Sequence, residues 1–220
     1  MGKTAIILGA TGLTGNLLLN RLLADDVYES VKVFSRRAIG LNHPKLTEYL
    51  GDLLKLDEFK ADFTGDEVFC CIGTMANKSK DKALYRKIDF GIPLAAARLC
   101  KKNRIESFLV ISALGANAES KLFYNRTKGK MERAVLTQRI KNTYILRPSL
   151  IKGKRGEKRL GESIGAFLIK IAEFILVGGL KKYRAIEAKC IAATMHRLAK
   201  SKPDYHIIES DKIQELGETL

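Results

Sequence analysis

The chain has 220 residues, 46% of them hydrophobic and 29% charged, a balance that suits one folded domain with a sizeable core and excludes disorder, collagen and a disulfide scaffold. Thirty-nine Lys and Arg stand against twenty-four Asp and Glu, and the net charge of +15 asks for an anionic partner: nucleic acid, a membrane surface or a phosphorylated small molecule. Four cysteines, two of them adjacent (Cys70, Cys71), and three histidines show no metal-ligand spacing, and the N-terminus lacks a signal peptide's apolar run, so the setting expected is reducing and cytoplasmic, with no metal.

Apolar, β-rich runs alternate with helical patterns, the signature of βαβ units and a doubly wound parallel sheet. Strands are predicted at Thr4–Leu8, Ser30–Phe34, Thr47–Tyr49, Glu67–Ile72, Ser107–Ile111 and Thr143–Leu146, and helices at Gly12–Ala24, Asp81–Asn103 and Tyr124–Ile140. The second helix keeps its apolar spacing despite Pro93. After Pro148 the pattern changes to a polar, Gly-rich run at 153–159 and an apolar helix at Ser163–Val177. Lys170 and Glu173 argue against a membrane span there and favour a helix packed on the domain or at a subunit interface. A helix near Ile186–Ala199 and a strand near Tyr205–Ile208 complete a small C-terminal cap over 149–220, within one domain spanning 1–220.

Gly9-Ala10-Thr11-Gly12-Leu13-Thr14-Gly15 follows the first strand and opens the first helix, the context of a dinucleotide-binding turn. Gly9 permits a tight turn, Gly12 lets backbone N–H groups approach a pyrophosphate, and Gly15 lets the helix pack closely on the strand. An acid at the end of the second strand would hold the ribose 2′-hydroxyl of NAD. The strand ends instead in Ser35-Arg36-Arg37, and two guanidinium forks suit the 2′-phosphate of NADP(H). Asp52, with Leu53, stands where it could either meet the adenine edge or cap the following helix.

Tyr124 and Lys128 stand at i and i+4 and share one helix face. A neighbouring ammonium is expected to lower the tyrosine pKa and make Tyr124 a general acid, while Ser112, at the end of the fifth strand, hydrogen-bonds the substrate oxygen. Cys71, Ile72, Gly73 and Thr74 leave the fourth strand toward the cofactor ribose and nicotinamide; the adjacent thiols Cys70 and Cys71 read as buried and inert. His196 reads as structural.

Together the glycine loop, Ser35-Arg36-Arg37, Cys70-Cys71-Ile72-Gly73-Thr74, Ser112-Ala113-Leu114-Gly115-Ala116, Tyr124-x-x-x-Lys128-Gly129 and Leu146-Arg147-Pro148 resemble an atypical short-chain dehydrogenase/reductase of the NAD(P)H-binding, Tat-interacting-protein-like group. The resemblance implies a Rossmann-type fold, NADP(H) on the glycine loop and Arg36/Arg37, and Ser112, Tyr124 and Lys128 around the nicotinamide. It also implies that Lys128 binds the ribose hydroxyls and that Pro148, Ser149 and Leu150 lie beside the nicotinamide amide. Many members carry an Asn ahead of the serine strand; this chain has none between Asp81 and Leu99, and Asp89 is the nearest polar candidate. The function expected is NADP(H)-dependent oxidoreduction of a carbonyl-like small molecule by a monomer or homodimer. The alternative is an NADPH-sensing regulatory or scaffold protein that binds cofactor and a protein partner with little or no turnover. Nucleic-acid binding rests on charge alone, since no DNA-binding motif is present and Trp is absent.

Overall fold

The computed structural model describes residues 2–74, 81–153 and 176–218. The polar run at 154–159 and most of the predicted helix Ser163–Val177 lie outside the described residues. The elements in chain order are β1 (Lys3–Leu8), α1 (Leu13–Ala24), β2 (Tyr28–Ser35), β3 (Leu46–Leu50), β4 (Glu67–Cys70), α2 (Lys82–Arg86), α3 (Ile92–Lys102), β5 (Ser107–Ile111), α4 (Phe123–Leu136), β6 (Asn142–Arg147), β7 (Ile151–Lys152), β8 (Ile186–Glu187), α5 (Ala188–Ser201), β9 (Ile207–Glu209) and α6 (Ser210–Glu218). Seven strands form a parallel sheet in the order β3-β2-β1-β4-β5-β6-β9, a Rossmann-type arrangement whose order reverses between β1 and β4; β7 and β8 form a separate pair.

Strands buried on both faces must be apolar at successive positions, and they alternate between two cores. Ala5, Ile7, Phe69, Leu109 and Ile111 meet α1, α5 and α6, whereas Ile6, Leu8, Val68, Phe108 and Val110 meet α3 and α4. Beyond Pro148 the chain supplies β9 to the sheet and Ile191, Met195 and Leu198 of α5 to the first core. Among the described residues no helix is long and apolar enough to cross a membrane.

Several boundaries differ from the sequence reading. β4 stops at Cys70, two residues early, although Cys71 still donates its N–H to Leu8 O at 2.8 Å. The helix predicted across Pro93 is continuous from Lys82 to Lys102 because Lys87–Gly91 form a π-turn, in which the Ile92 N–H reaches back to Lys87 O. Pro93 has no N–H for the carbonyl four residues before it, and the wider turn absorbs that loss. α4 ends at Leu136 rather than Ile140, since Thr137 and Gln138 side chains both donate to Ala134 O and Arg139 turns to φ 53°. α6 was not foreseen.

Candidate active site

The turn between β1 and α1 is built for close approach. Gly9 has φ +88°, and a Cβ there would stand 2.9 Å from the Cys71 carbonyl carbon; one on Gly15 would stand 2.1 Å from Gly9 O. The first helical residues bring no side-chain cap and no acid to their N–H groups, and Thr11 and Gly12 are exposed. An uncapped helix start at the strand-order reversal is a cradle for an anion, and the residues present fit a dinucleotide pyrophosphate. Leu13 is half-buried and Thr14 buried at the same helix start.

At the end of β2 the hydroxyl of Ser35 donates to Arg37 O at 2.6 Å, and Glu48 on β3 accepts the Ile39 N–H at 2.8 Å. These bonds hold the loop that presents Arg36 and Arg37 to solvent. Asp52 takes the second of its two expected roles: its carboxylate accepts the Leu54 N–H at 3.0 Å and caps the short helical segment that begins at Leu53, itself a core residue.

Beyond β4, Cys71 Sγ lies 3.8 Å from Met195 Sδ, and burial pushes the Cys70 thiol up to about 12. Burial raises Cys71 as well, so both adjacent thiols stay protonated. Gly73 and Thr74 continue to a buried carboxylate. Thr74 donates its N–H and hydroxyl to Asp89 Oδ2 at 3.0 and 2.5 Å, and Asp89 Oδ1 takes the Lys128 ammonium at 2.9 Å. Lys128 is 2% exposed and Asp89 fully buried. The ammonium also donates to Ile111 O at 3.4 Å. Tyr124 is half-buried one turn earlier on α4, its ring 6.1 Å from that of Tyr85.

Two expectations change here. Burial raises the Tyr124 phenol above its ordinary range; Lys128 lowers it, as expected, but by less than burial raises it, and Asp89 offsets part of that lowering. The Ser112 hydroxyl is not available to a substrate oxygen: it donates to Glu132 Oε1 at 2.5 Å, and Glu132 is held by Arg147 through contacts of 3.0 and 2.6 Å. Tyr124, Lys128 and Glu132 stand one turn apart on α4, so Ser112 meets the turn below Lys128. Arg147 also reaches Glu209 at 3.1 Å. Asp89, named from the resemblance only as the nearest polar candidate for the missing Asn, is instead the buried partner of Lys128 and Thr74; Tyr85 was not foreseen as part of the site.

Beyond β6, Pro148 O accepts the Leu114 N–H at 2.9 Å. The Ser149 hydroxyl donates to Arg184 O and accepts from Ser210, and Leu150 is 64% exposed at the edge. His196 lies away from these residues, against Asp25.

The sequence pattern of the NAD(P)H-binding family matches residues 9–165, well over half of the chain. The chain belongs to this family. Within it, the chain falls in the Tat-interacting-protein-like group. It is 31% identical to protein HTATIP2 of Rattus norvegicus over 164 residues, 73% of this chain and 67% of that protein. It is 33% identical to the mitochondrial protein FMP52 of Debaryomyces hansenii over 154 residues, 69% of this chain and 68% of that protein. In fold it matches the Bordetella bronchiseptica enzyme WbmH in complex with NAD+, with TM-score 0.73 at 15% identity, covering 99% of this chain and 80% of that one. It also matches a UDP-N-acetylglucosamine 4-epimerase from Methanobrevibacter ruminantium, with TM-score 0.69 at 18% identity, covering 97% of this chain and 80% of that one. The fungal relatives of this family member are named mitochondrial, which overturns the expectation of a purely cytoplasmic protein. Free thiols and a short apolar N-terminus do not separate one reducing compartment from another.

Proposed function

We propose that the protein is an NADP(H)-dependent oxidoreductase of the short-chain type, acting on a carbonyl-like small molecule at the carboxyl edge of the sheet. The observation that carries this reading is the presence on one edge of an uncapped helix start behind Gly9–Gly15 and a buried lysine one turn from a tyrosine. The first suits a pyrophosphate. Arg36 and Arg37, exposed at a strand end without an acid, suit a 2′-phosphate and favour NADP(H). With the Asp52 side chain spent on its cap, the adenine is left to the backbone around Leu53. Cys71–Thr74 and Pro148–Leu150 flank the nicotinamide end.

The bound cofactor supplies or accepts a hydride. Tyr124 holds the proton that moves at the substrate oxygen. Lys128 has three N–H directions and, among the described residues, meets Asp89 and Ile111 O, so a third direction can serve the ribose hydroxyls. Ser112, spent on Glu132, anchors α4 to the end of β5 in place of a substrate contact.

The test is NADPH-dependent reduction of a panel of aldehydes, ketones and quinones by the parent and by Tyr124→Phe. A loss of about 100-fold or more in the variant supports the reading; equal turnover in both removes Tyr124 from it. A specific observation favours a second reading, since carboxylates already occupy both Lys128 and Ser112. On that reading the chain senses NADPH and binds a protein partner with little turnover. Tight NADPH binding without turnover, together with a partner affinity that depends on NADPH, would decide for it.

A further inference from the structure

A carboxylate persists inside a protein only where it is paired. Asp89 divides its two oxygens between two elements, Oδ1 to the Lys128 ammonium of α4 and Oδ2 to Thr74 in the loop after β4. It is carried on the π-turn Lys87–Gly91, one turn after Tyr85 on the same helix. The Tyr85 hydroxyl is buried beside Asp89, burial and that carboxylate keep it protonated, and its ring packs on Tyr124. The groups that bear on Asp89 are Thr74 and the Cys70 thiol from the β4 end, Tyr85 from its own helix, and Lys128 and Tyr124 from α4. Lys82 and Arg86 are turned outward, over the Phe123 ring at 5.8 and 5.9 Å. Gly73 lies against the ion pair: a Cβ there would stand 3.6 Å from both Asp89 Oδ1 and Lys128 Nζ.

An unmatched ammonium one turn from a phenol favours the phenolate and makes the tyrosine a base. Here the ammonium is paired with Asp89 at 2.9 Å, burial is the main influence on the Tyr124 proton, and Asp89 offsets part of the lowering that Lys128 exerts. Resting on the reading of Tyr124 and Lys128 given above, we propose that Asp89 is a positioning residue of this site. By drawing the Lys128 ammonium into a buried ion pair it keeps Tyr124 a proton donor and sets the site to work in the direction of carbonyl reduction. In that direction the Tyr124 O–H bond breaks and its proton passes to the carbonyl oxygen, which takes the C=O electron pair. The carbonyl carbon accepts the hydride of the reduced cofactor, the cofactor is oxidised, and the tyrosine recovers its proton from water.

Asp89→Asn keeps an oxygen for Thr74 and removes the negative charge. The full chain, labelled with 13Cζ-tyrosine and free of cofactor, is titrated by NMR, with Tyr124→Phe assigning the resonance. In the parent Tyr124 is expected to stay protonated above pH ~10. In Asp89→Asn it is expected to titrate lower than in the parent by about one pH unit or more, with the ratio of oxidative to reductive turnover rising severalfold. Asp89→Glu, which restores the charge, is expected to return the titration toward that of the parent. A Tyr124 that titrates alike in the parent and Asp89→Asn overturns the proposal. So does a parent Tyr124 that titrates below pH ~10, a result that needs no variant to fold. The titration uses neither cofactor nor substrate, so a protein that reduces no carbonyl would overturn the proposed function and leave this measurement to decide the effect of Asp89 on Tyr124.

Discussion

The net effect of a charge depends on its surroundings, and Lys128 shows this at the scale of one residue. Read by spacing alone, its ammonium lowers Tyr124; in the folded chain burial raises the phenol by more, and Asp89, which takes the ammonium at 2.9 Å, offsets part of the lowering. Arg36 and Arg37 are the opposite case. Both are exposed, and on the proposed reading their charge serves a ligand. Changing both to alanine should weaken NADPH binding by about 10- to 100-fold, the worth of one or two charge-assisted hydrogen bonds. NADH, which has no 2′-phosphate, should be affected little. Fluorescence titration with the two cofactors measures the difference; equal losses for both would mean that the arginines do not read the 2′-phosphate.

At the scale of elements, α4 presents Tyr124, Lys128 and Glu132 on successive turns; Lys128 is anchored to Asp89 of the π-turn and Glu132 to Ser112 just past β5 and Arg147 of β6. Glu132 is buried and takes Ser112 from β5 and Arg147 from β6, so Glu132→Gln leaves the guanidinium poorly matched. It should destabilise the fold by about 3 kcal/mol, whereas Ser112→Ala, which removes one hydrogen bond to an acceptor that keeps Arg147, should cost about 1 kcal/mol. Urea unfolding of both variants checks the order. The strands were legible because a doubly covered strand must be apolar along its length, as Ala5–Leu8 and Phe108–Ile111 are. The Tyr124–Lys128 pair was legible because residues at i and i+4 share one face of a helix. Ser112 was misjudged although strand alternation held the answer: Phe108 and Val110 face α3 and α4, so Ser112 faces the same layer and meets Glu132. The Asp89 pairing was hidden because a crossover of the chain brings the two residues together, and α6 because only Ile213 and Leu216 mark its apolar side.

At the scale of the molecule, the +15 charge is largely a property of its surface. Thirteen Lys and Arg fall between 121 and 159; among the described ones, Lys128 and Arg147 make buried or half-buried ion pairs with Asp89, Glu132 and Glu209. A different cluster ties the two ends of the chain together. Asp25, just past α1, takes His196 Nε2 at 2.7 Å and the Lys200 ammonium at 2.8 Å, both from α5. Burial works against ionisation of Asp25, but hydrogen bonds from Lys200, the Val27 N–H and His196 outweigh it and hold its pKa to about 2. A carboxyl depressed in the folded state contributes stability above its unfolded pKa of about 4 and loses it as the pH falls toward 2. Burial also lowers His196, so the folded state resists protonating the imidazole that the unfolded chain protonates below about pH 6.5, and stability falls in acid for this group too. Two acid limbs follow. Asp25→Asn should cost about 1–2 kcal/mol more at pH 7 than at pH 3, and His196→Gln should flatten the decline between pH 7 and 5 while leaving the lower limb in place. Urea unfolding at pH 7, 5 and 3 separates the two, and a cost of Asp25→Asn that is the same at pH 7 and pH 3 would show that its charge does not hold α5 against α1.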